Sequence, residues 1–231
     1  MRIVTWNCGG ALRRKWHLLE SFHADVMVIQ ECEDPVRAKD PSYAEWADRC
    51  RWVGPTKHKG IGVFVRQGVT VQPLALDVGP LELFLPCLLN GELPLLAAWT
   101  RQANSPTFGY IGQLWKFLQL HRDVLMHPKA LLVGDLNSNA RWDVWDRWWN
   151  HSDVVRDLAG CGLRSAYHDH HGEPQGTESR ATFYLQRNRQ KPYHIDYVFA
   201  ADEWATRSAE VGGGDLWLQY SDHMPLVVDL A

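Results

Sequence analysis

Short runs that are apolar at every position recur along this chain, and each stops at an amide, a carboxylate or an imidazole. Val-Met-Val-Ile at 26–29 and Ala-Leu-Leu-Val at 130–133 show the pattern. A strand with one solvated face alternates apolar and polar residues, so a run that is apolar throughout predicts a strand covered on both faces. Strands are expected at Arg2–Trp6, Val26–Gln30, Gly62–Arg66, Val69–Leu76, Leu95–Thr100, Ala130–Val133, Thr182–Leu185, Ile195–Ala200 and Leu226–Leu230. Helical spacing between them predicts helices at Ala11–Phe22, Ser42–Cys50, Gly109–Met126, Ala140–Trp149 and Ser152–Cys161. In the third helix Ile111, Leu114, Phe117, Leu118 and Leu125 share one stripe, with His121 a histidine at the edge of the core. No repeat or linker interrupts the alternation. The 231 residues suffice to bury roughly 70–75% of the unfolded surface, so one α/β domain over 1–231 is expected.

Composition removes several alternatives. Forty-five per cent hydrophobic and 22% charged residues exclude a disordered or collagen-like chain. The longest apolar stretches, Leu81–Leu89 and Leu93–Trp99, fall short of the ~20 residues that a spanning helix needs, so no membrane span is expected. Five cysteines without a CxxC pair suit a reducing compartment. The N-terminus starts at once on a strand, leaving no room for a secretory signal, and a cytoplasmic location is expected. A net charge of −3, from 24 Lys+Arg against 27 Asp+Glu, argues against affinity gained by neutralising many phosphates. The 12 tryptophans are unusually many. No obligate protein partner is evident.

Five segments deliver polar groups where strands begin or end. Asn7 follows Ile3-Val4-Thr5-Trp6, Glu31 follows Val26–Gln30, and Asp135 with Asn137 follows Leu131-Leu132-Val133-Gly134. His194 and Asp196 flank Ile195, and Ser221-Asp222-His223 precedes Met224-Pro225. Loops at strand ends are where α/β folds bind ligands. Taken singly, each residue has a plainer reading as a turn former or helix cap. Together they suit hydrolysis of a phosphate ester. Glu31 with Asn7 offers oxygen ligands to Mg²⁺ or Mn²⁺, Asp135 a base for water, and Asn137 an amide for the phosphate or nucleophile. His223, held by Asp196, offers a cation for the charge that builds on phosphorus.

Thr5-Trp6-Asn7, Ile29-Gln30-Glu31, Gly134-Asp135-Leu136-Asn137-Ser138, Ile195-Asp196-Tyr197 and Ser221-Asp222-His223-Met224-Pro225 resemble, in order, the signature motifs of the endonuclease/exonuclease/phosphatase superfamily. The resemblance implies a four-layered α/β sandwich, two mixed β-sheets face to face with helices outside, and a metal-dependent phosphodiesterase site. It places Asn7, Glu31 and Asp222 at the metal and Asp135, Asn137, Asp196 and His223 in catalysis. Many relatives carry a Tyr or His where this chain has Trp99, and Arg101 is then a candidate phosphate contact in its stead. His58 and Lys59 sit beside the family's glycine-containing strand, near substrate. Tyr193 and His194 fall in the stretch that lines the substrate pocket of the repair enzymes.

Other residues bear on the substrate. Arg187, Arg189 and Lys191 offer a local phosphate contact or a solvated hairpin, and His168 with His170 reads as part of a solvated loop rather than a zinc site. On a helix, Trp142, Trp145 and Trp149 would share one packing face, or stack on a base. The expected activity is a divalent-metal-dependent phosphodiesterase, foremost a DNA nuclease. A phosphatase or phosphodiesterase for a small phosphorylated molecule or lipid headgroup is the second reading, and a silent binding domain the third.

Overall fold

The computed structural model describes residues Met1–Ala231. Its elements run β1 (Arg2–Asn7), α1 (His17–Glu20), β2 (Val26–Cys32), α2 (Pro41–Trp46), β3 (Cys50–Thr56), β4 (Lys59–Val65), β5 (Val71–Pro73), β6 (Phe84–Leu89) and β7 (Leu93–Trp99). They continue with α3 (Ile111–Leu125), β8 (Leu131–Asp135), α4 (His151–Gly160), β9 (Leu163–Ser165), α5 (Ala166–His171), β10 (Phe183–Tyr184), β11 (Pro192–Tyr193), β12 (Asp196–Ala201), β13 (Thr206–Val211), α6 (Gly214–Trp217) and β14 (Leu226–Leu230). One six-stranded sheet has the order β13-β14-β1-β2-β4-β3 and the other β5-β6-β7-β8-β12-β9. Each has a parallel pair at its centre, β1 with β2 and β7 with β8, flanked by antiparallel strands, so both sheets are mixed.

The sheets pack face to face, and alternate residues of the apolar runs divide between inner and outer faces. Ile3, Val28 and Val63 meet Leu95, Leu131 and Val133 between the sheets. Their chain neighbours turn outward. Val4, Ile29 and Phe64 pack under Leu12, Leu19 and Tyr43, while Leu96, Leu132 and Phe199 pack under Leu114, Phe117, Val154 and Leu158. Both faces of each central strand are therefore buried, which is why the runs carry no polar alternation. The arrangement is the four-layered sandwich.

Several element boundaries differ from expectation. The stretch Ala11–Phe22 breaks into a 3-10 turn at Leu12–Arg14 and the short α1, starting from a left-handed Ala11 at φ 54°. Helix α2 ends at Trp46 because Cys50 already pairs with Phe64 in β3. The stretch Ala140–Trp149 is helical only as a 3-10 turn at Ala140–Trp142. Asn150 accepts the Val144 N–H and donates to the Val144 and Arg147 carbonyls, and these side-chain bonds take the groups a helix would pair. The regular helix starts one residue later, where Asn150 and Asp153 form a capping box. The histidines expected in a solvated loop lie on α5, where His168 is buried. No helix is long and apolar enough to cross a membrane, and all five cysteines are free.

Candidate active site

Topology gathers the strand-end residues at one edge of the sandwich. Strand β12 runs antiparallel to β8, which sets Asp196, at its start, opposite Asp135, at the end of β8. Parallel β7 brings Trp99 into register with the same Asp135. In the other sheet β1 and β2 run parallel and deliver Asn7 and Gln30 side by side, with Glu31 next along. Strand β14 is antiparallel to β1, so Asp222 and His223, just before it, arrive at the Asn7 end.

Across the two sheets two hydrogen-bonded pairs, Asn7–Asp135 and His223–Asp196, are joined by an ion-pair contact between His223 and Asp135. Asn7 Nδ2 donates to Asp135 Oδ2 at 2.9 Å. His223 Nδ1 lies 2.9 Å from Asp196 Oδ2, and its Nε2 lies 3.9 Å from Asp135 Oδ2. All four side chains are buried. Ser221 Oγ donates to the Asn7 carbonyl at 2.7 Å and accepts the His223 N–H at 3.0 Å, tying the two loops together. Thr182 Oγ1 accepts the N–H groups of Ile195 and Asp196 at 2.9 and 3.1 Å, which fixes the start of β12.

Asp135 is positioned by the backbone on both sides. A Cβ on Gly134 would stand 1.8 Å from the Ala98 carbonyl oxygen, so β7 and β8 can approach only with glycine there. Beyond it Asn137 takes a left-handed φ of 43°, an Asx-compatible conformation, and its N–H donates to Asp135 Oδ1 at 2.8 Å. Its amide donates to the Thr100 carbonyl at 3.0 Å.

Burial in this cluster changes proton affinities. It raises Asp135, the Asp196 charge raises it further, and His223 with the Asn7 bond offsets only part, leaving its pKa at about 7. Burial disfavours the cation on His223, but the charges of Asp196 and Asp135 and the Asp196 hydrogen bond outweigh it and set that pKa at about 9. At neutral pH the ring is an imidazolium lying between Asp135 and Asp196.

A cleft of ≈ 570 Å³ opens over the cluster, lined by Asn7, Glu31, Trp99, Arg101, Asn137, Asp222 and His223, with Tyr110, Phe183 and Arg187 at its sides. Glu31 has a left-handed φ of 59°, and its carboxylate pairs with Lys59 Nζ at 2.9 Å. Lys59 and Arg101 each carry their charge 5.5 Å from the Trp99 ring centroid. Trp99 itself is buried between the sheets.

Three residues expected at the substrate lie outside the lining of this cleft. His58 is exposed in the turn joining β3 to β4 and borders a separate depression with Arg13, Glu33 and Lys57. Tyr193 and His194 line a smaller hollow beside the cleft with Asn139, Arg141 and Glu178. His194 is buried with Nδ1 2.9 Å from the Arg180 carbonyl, and burial holds its pKa down at about 4, so it offers a phosphate no charge. The Phe183 ring lies 4.6 Å from that of His223. Sequence reasoning passed over Tyr110, which lines the cleft. It also passed over Glu178, which accepts from Asn139 Nδ2 at 3.1 Å and steadies the loop after Asn137. A lone Glu in an irregular segment carries no pattern that would single it out, whereas Gly109-Tyr110 directly before a helical stripe was a visible turn.

A cleft of polar groups over a buried carboxylate–imidazolium cluster defines a hydrolase of phosphate esters. The profile of the Endonuclease/Exonuclease/phosphatase family matches residues 4–223, and the chain belongs to that family. Among solved structures, the fold is similar to a 3′ phosphatase from Neisseria bound to a product DNA hairpin, with TM-score 0.72 and 19% identity over 100% of this chain and 99% of that one. It is similar to a 3′-5′ exonuclease from Neisseria meningitidis, with TM-score 0.69 and 20% identity over 99% of both chains. An AP endonuclease from Archaeoglobus fulgidus gives 0.68 and 17%, covering 99% of this chain and 98% of that one. No curated protein matches the sequence significantly.

Proposed function

We propose that this protein is a divalent-metal-dependent nuclease that hydrolyses phosphodiesters in DNA. The observation that carries the reading is the buried chain Asn7–Asp135–His223–Asp196 beneath an open polar cleft. The similar structures named for a 3′ phosphatase, an exonuclease and an AP endonuclease support DNA as the substrate.

The residues present fit a hard cation. Asn7, Glu31 and Asp222 bring only oxygen donors to the cleft, and the Glu31 carboxylate already takes a cation in Lys59 Nζ at 2.9 Å. Asp135, Asp196 and His223 also place ligand atoms within 4.8 Å of one another. That cluster is closed, because the imidazolium already bridges the two carboxylates, and we assign the metal to the open group. Mg²⁺ or Mn²⁺ held there supplies Lewis-acid neutralisation of the phosphoryl oxygens.

The remaining work falls to the chain's own groups. Asp135, its proton affinity raised by burial and by Asp196 to a pKa of about 7, is placed to take the proton of the attacking water. Asn7 and the Asn137 N–H hold that carboxylate by both oxygens, fixing its direction. The Asn137 side chain lines the cleft and orients the nucleophile or phosphate. His223, cationic below about 9, stabilises negative charge on the phosphorus oxygens, and Asp196 fixes its ring through Nδ1.

The test is a hydrolysis panel with Mg²⁺ or Mn²⁺ on duplex, single-stranded and abasic DNA, RNA, nucleotides and inositol phosphates. Metal-dependent cleavage of DNA, reduced at least a hundredfold in Asp135→Asn and His223→Ala, is expected. Turnover of small phosphates with none on any polynucleotide would establish the second reading, which the net charge of −3 favours.

A further inference from the structure

Beyond Asn137 the chain enters the segment Trp142–Trp149, which holds four of the 12 tryptophans. Trp145 is 96% exposed, Trp148 65% and Trp142 42%. The backbone beneath them is pinned. Asn150 Oδ1 accepts the Val144 N–H at 2.9 Å and Arg147 Nε at 2.8 Å, and Asp143 accepts the His151 N–H at 2.9 Å. Arg147 lies 4.4 Å from the Trp149 ring centroid. A loop fixed by its own side chains thus displays indoles that water disfavours, the mark of a contact surface.

This surface continues the cleft. A hollow of ≈ 310 Å³ lined by Trp142, Arg147 and Trp149 shares Gln102, Tyr110 and Asn137 with the catalytic cleft. A polymer leaving the phosphate site past Asn137 would pass the Trp142 and Trp149 side chains that line this hollow, with Trp145 and Trp148 exposed on the same segment. Paired bases hide their faces in the stack, so only unpaired bases can use such a surface. Asp146 is exposed between Trp145 and Arg147, which disfavours an anionic lipid surface and leaves an uncharged base face as the better fit.

We propose that the Trp142–Trp149 segment is a stacking platform for an unpaired stretch of nucleic acid on one side of the scissile phosphate, with Trp145 and Trp148 as its outer stacking residues. The proposal rests on the nuclease reading and narrows it to single strands and frayed ends. Stacking also supplies affinity where cations are few, so binding should depend only shallowly on salt.

The test measures fluorescence anisotropy of a labelled oligothymidylate and a blunt hairpin of equal length on full-length Asp135→Asn protein, which binds without turnover. The single strand should bind more tightly than the hairpin. Trp145→Ala and Trp148→Ala should each weaken it by about fivefold to a hundredfold, and Trp145→Phe should restore most of the loss. Parental affinity in both alanine variants, or hairpin binding as tight as single-strand binding, overturns the proposal and leaves the nuclease reading standing if the wild type still cleaves DNA. So does binding to phosphatidylcholine–phosphatidylserine vesicles that needs the same tryptophans while oligonucleotide binding does not. Failure of the wild type to cleave any polynucleotide, with small esters hydrolysed, removes both.

Discussion

Replacing Asp196 by Asn removes a charge from the buried cluster and leaves its shape, and both neighbouring proton equilibria respond with the same sign. His223 owes its pKa of about 9 to Asp196 before any other favourable influence, since that charge and the 2.9 Å bond at Nδ1 counter the effect of burial. Asp135 stands at about 7 because of burial and, next, repulsion from Asp196. Without the Asp196 charge the imidazolium loses support and the Asp135 carboxylate ionises more easily, so both pKa values fall. In the wild type, kcat/KM should rise as Asp135 ionises near 7 and decline as His223 loses its proton near 9, each value belonging to the coupled cluster. In Asp196→Asn the whole bell should slide toward acid, its descending limb by a pH unit or more, which is about 1.4 kcal/mol per unit. The check is an NMR titration of the His223 ring in metal-free protein beside the pH–rate profile. A descending limb still at 9, or an ascending limb displaced toward alkali, would mean that Asp196 does not set the proton affinities of His223 and Asp135. Linkage gives a matching sign in stability. Both groups bind protons more tightly folded than unfolded, so each stabilises fully below its ordinary value, 3.8 for Asp135 and 6.5 for His223. The wild type should then lose stability as pH rises toward 7 through Asp135 and toward 9 through His223. Asp196→Asn should flatten that decline in a series of thermal melts.

Glu31→Gln should raise the half-saturating Mg²⁺ concentration by about tenfold or more, read as the metal dependence of cleavage and by direct titration, because a neutral amide replaces the only carboxylate on β2 that lines the cleft. Unchanged metal affinity would move the ion elsewhere. Gly134→Ala sets a Cβ 1.8 Å from the Ala98 carbonyl at a φ of 152°, a region nearly restricted to glycine. Circular dichroism melts should show a loss of about 3 kcal/mol or more, and a melt within a degree of the wild type would mean that β7 and β8 can separate freely.

The central strands were legible because their signal is local: a run covered on both faces must be apolar throughout, as Ala130–Val133 is, and the order of polar residues at the strand ends carried the site. What stayed hidden depends on contacts distant in sequence or on competition within a loop. Asn7, Asp135 and His223 meet only across two sheets, so the sequence showed their order and not the hydrogen bonds between them. Edge strands β3 and β13 mix exposed residues with half-buried ones, with Ala209 alone fully buried, and resemble turns. The Ala140–Trp149 stretch has helical spacing, yet Asn150 and Asp143 withdraw its backbone groups, and of the tryptophans expected to share a packing face only Trp149 packs against the core while Trp142 and Trp145 are exposed. His58 and His194, both expected near substrate, lie outside the lining of the cleft, one exposed beside another depression and one buried in the hollow next to it. Trp99 fills the core at the position in register with Asp135, where a buried indole brings no titrating group, and on the proposed nuclease reading Arg101, beside its ring and in the cleft lining, is the cation that would meet the phosphate, since Lys59 pairs with Glu31. With positive charge so local, a net charge of −3 is compatible with a short phosphate footprint, and on the proposed nuclease reading a longer strand would draw its affinity from uncharged surface such as the exposed indoles beyond Asn137.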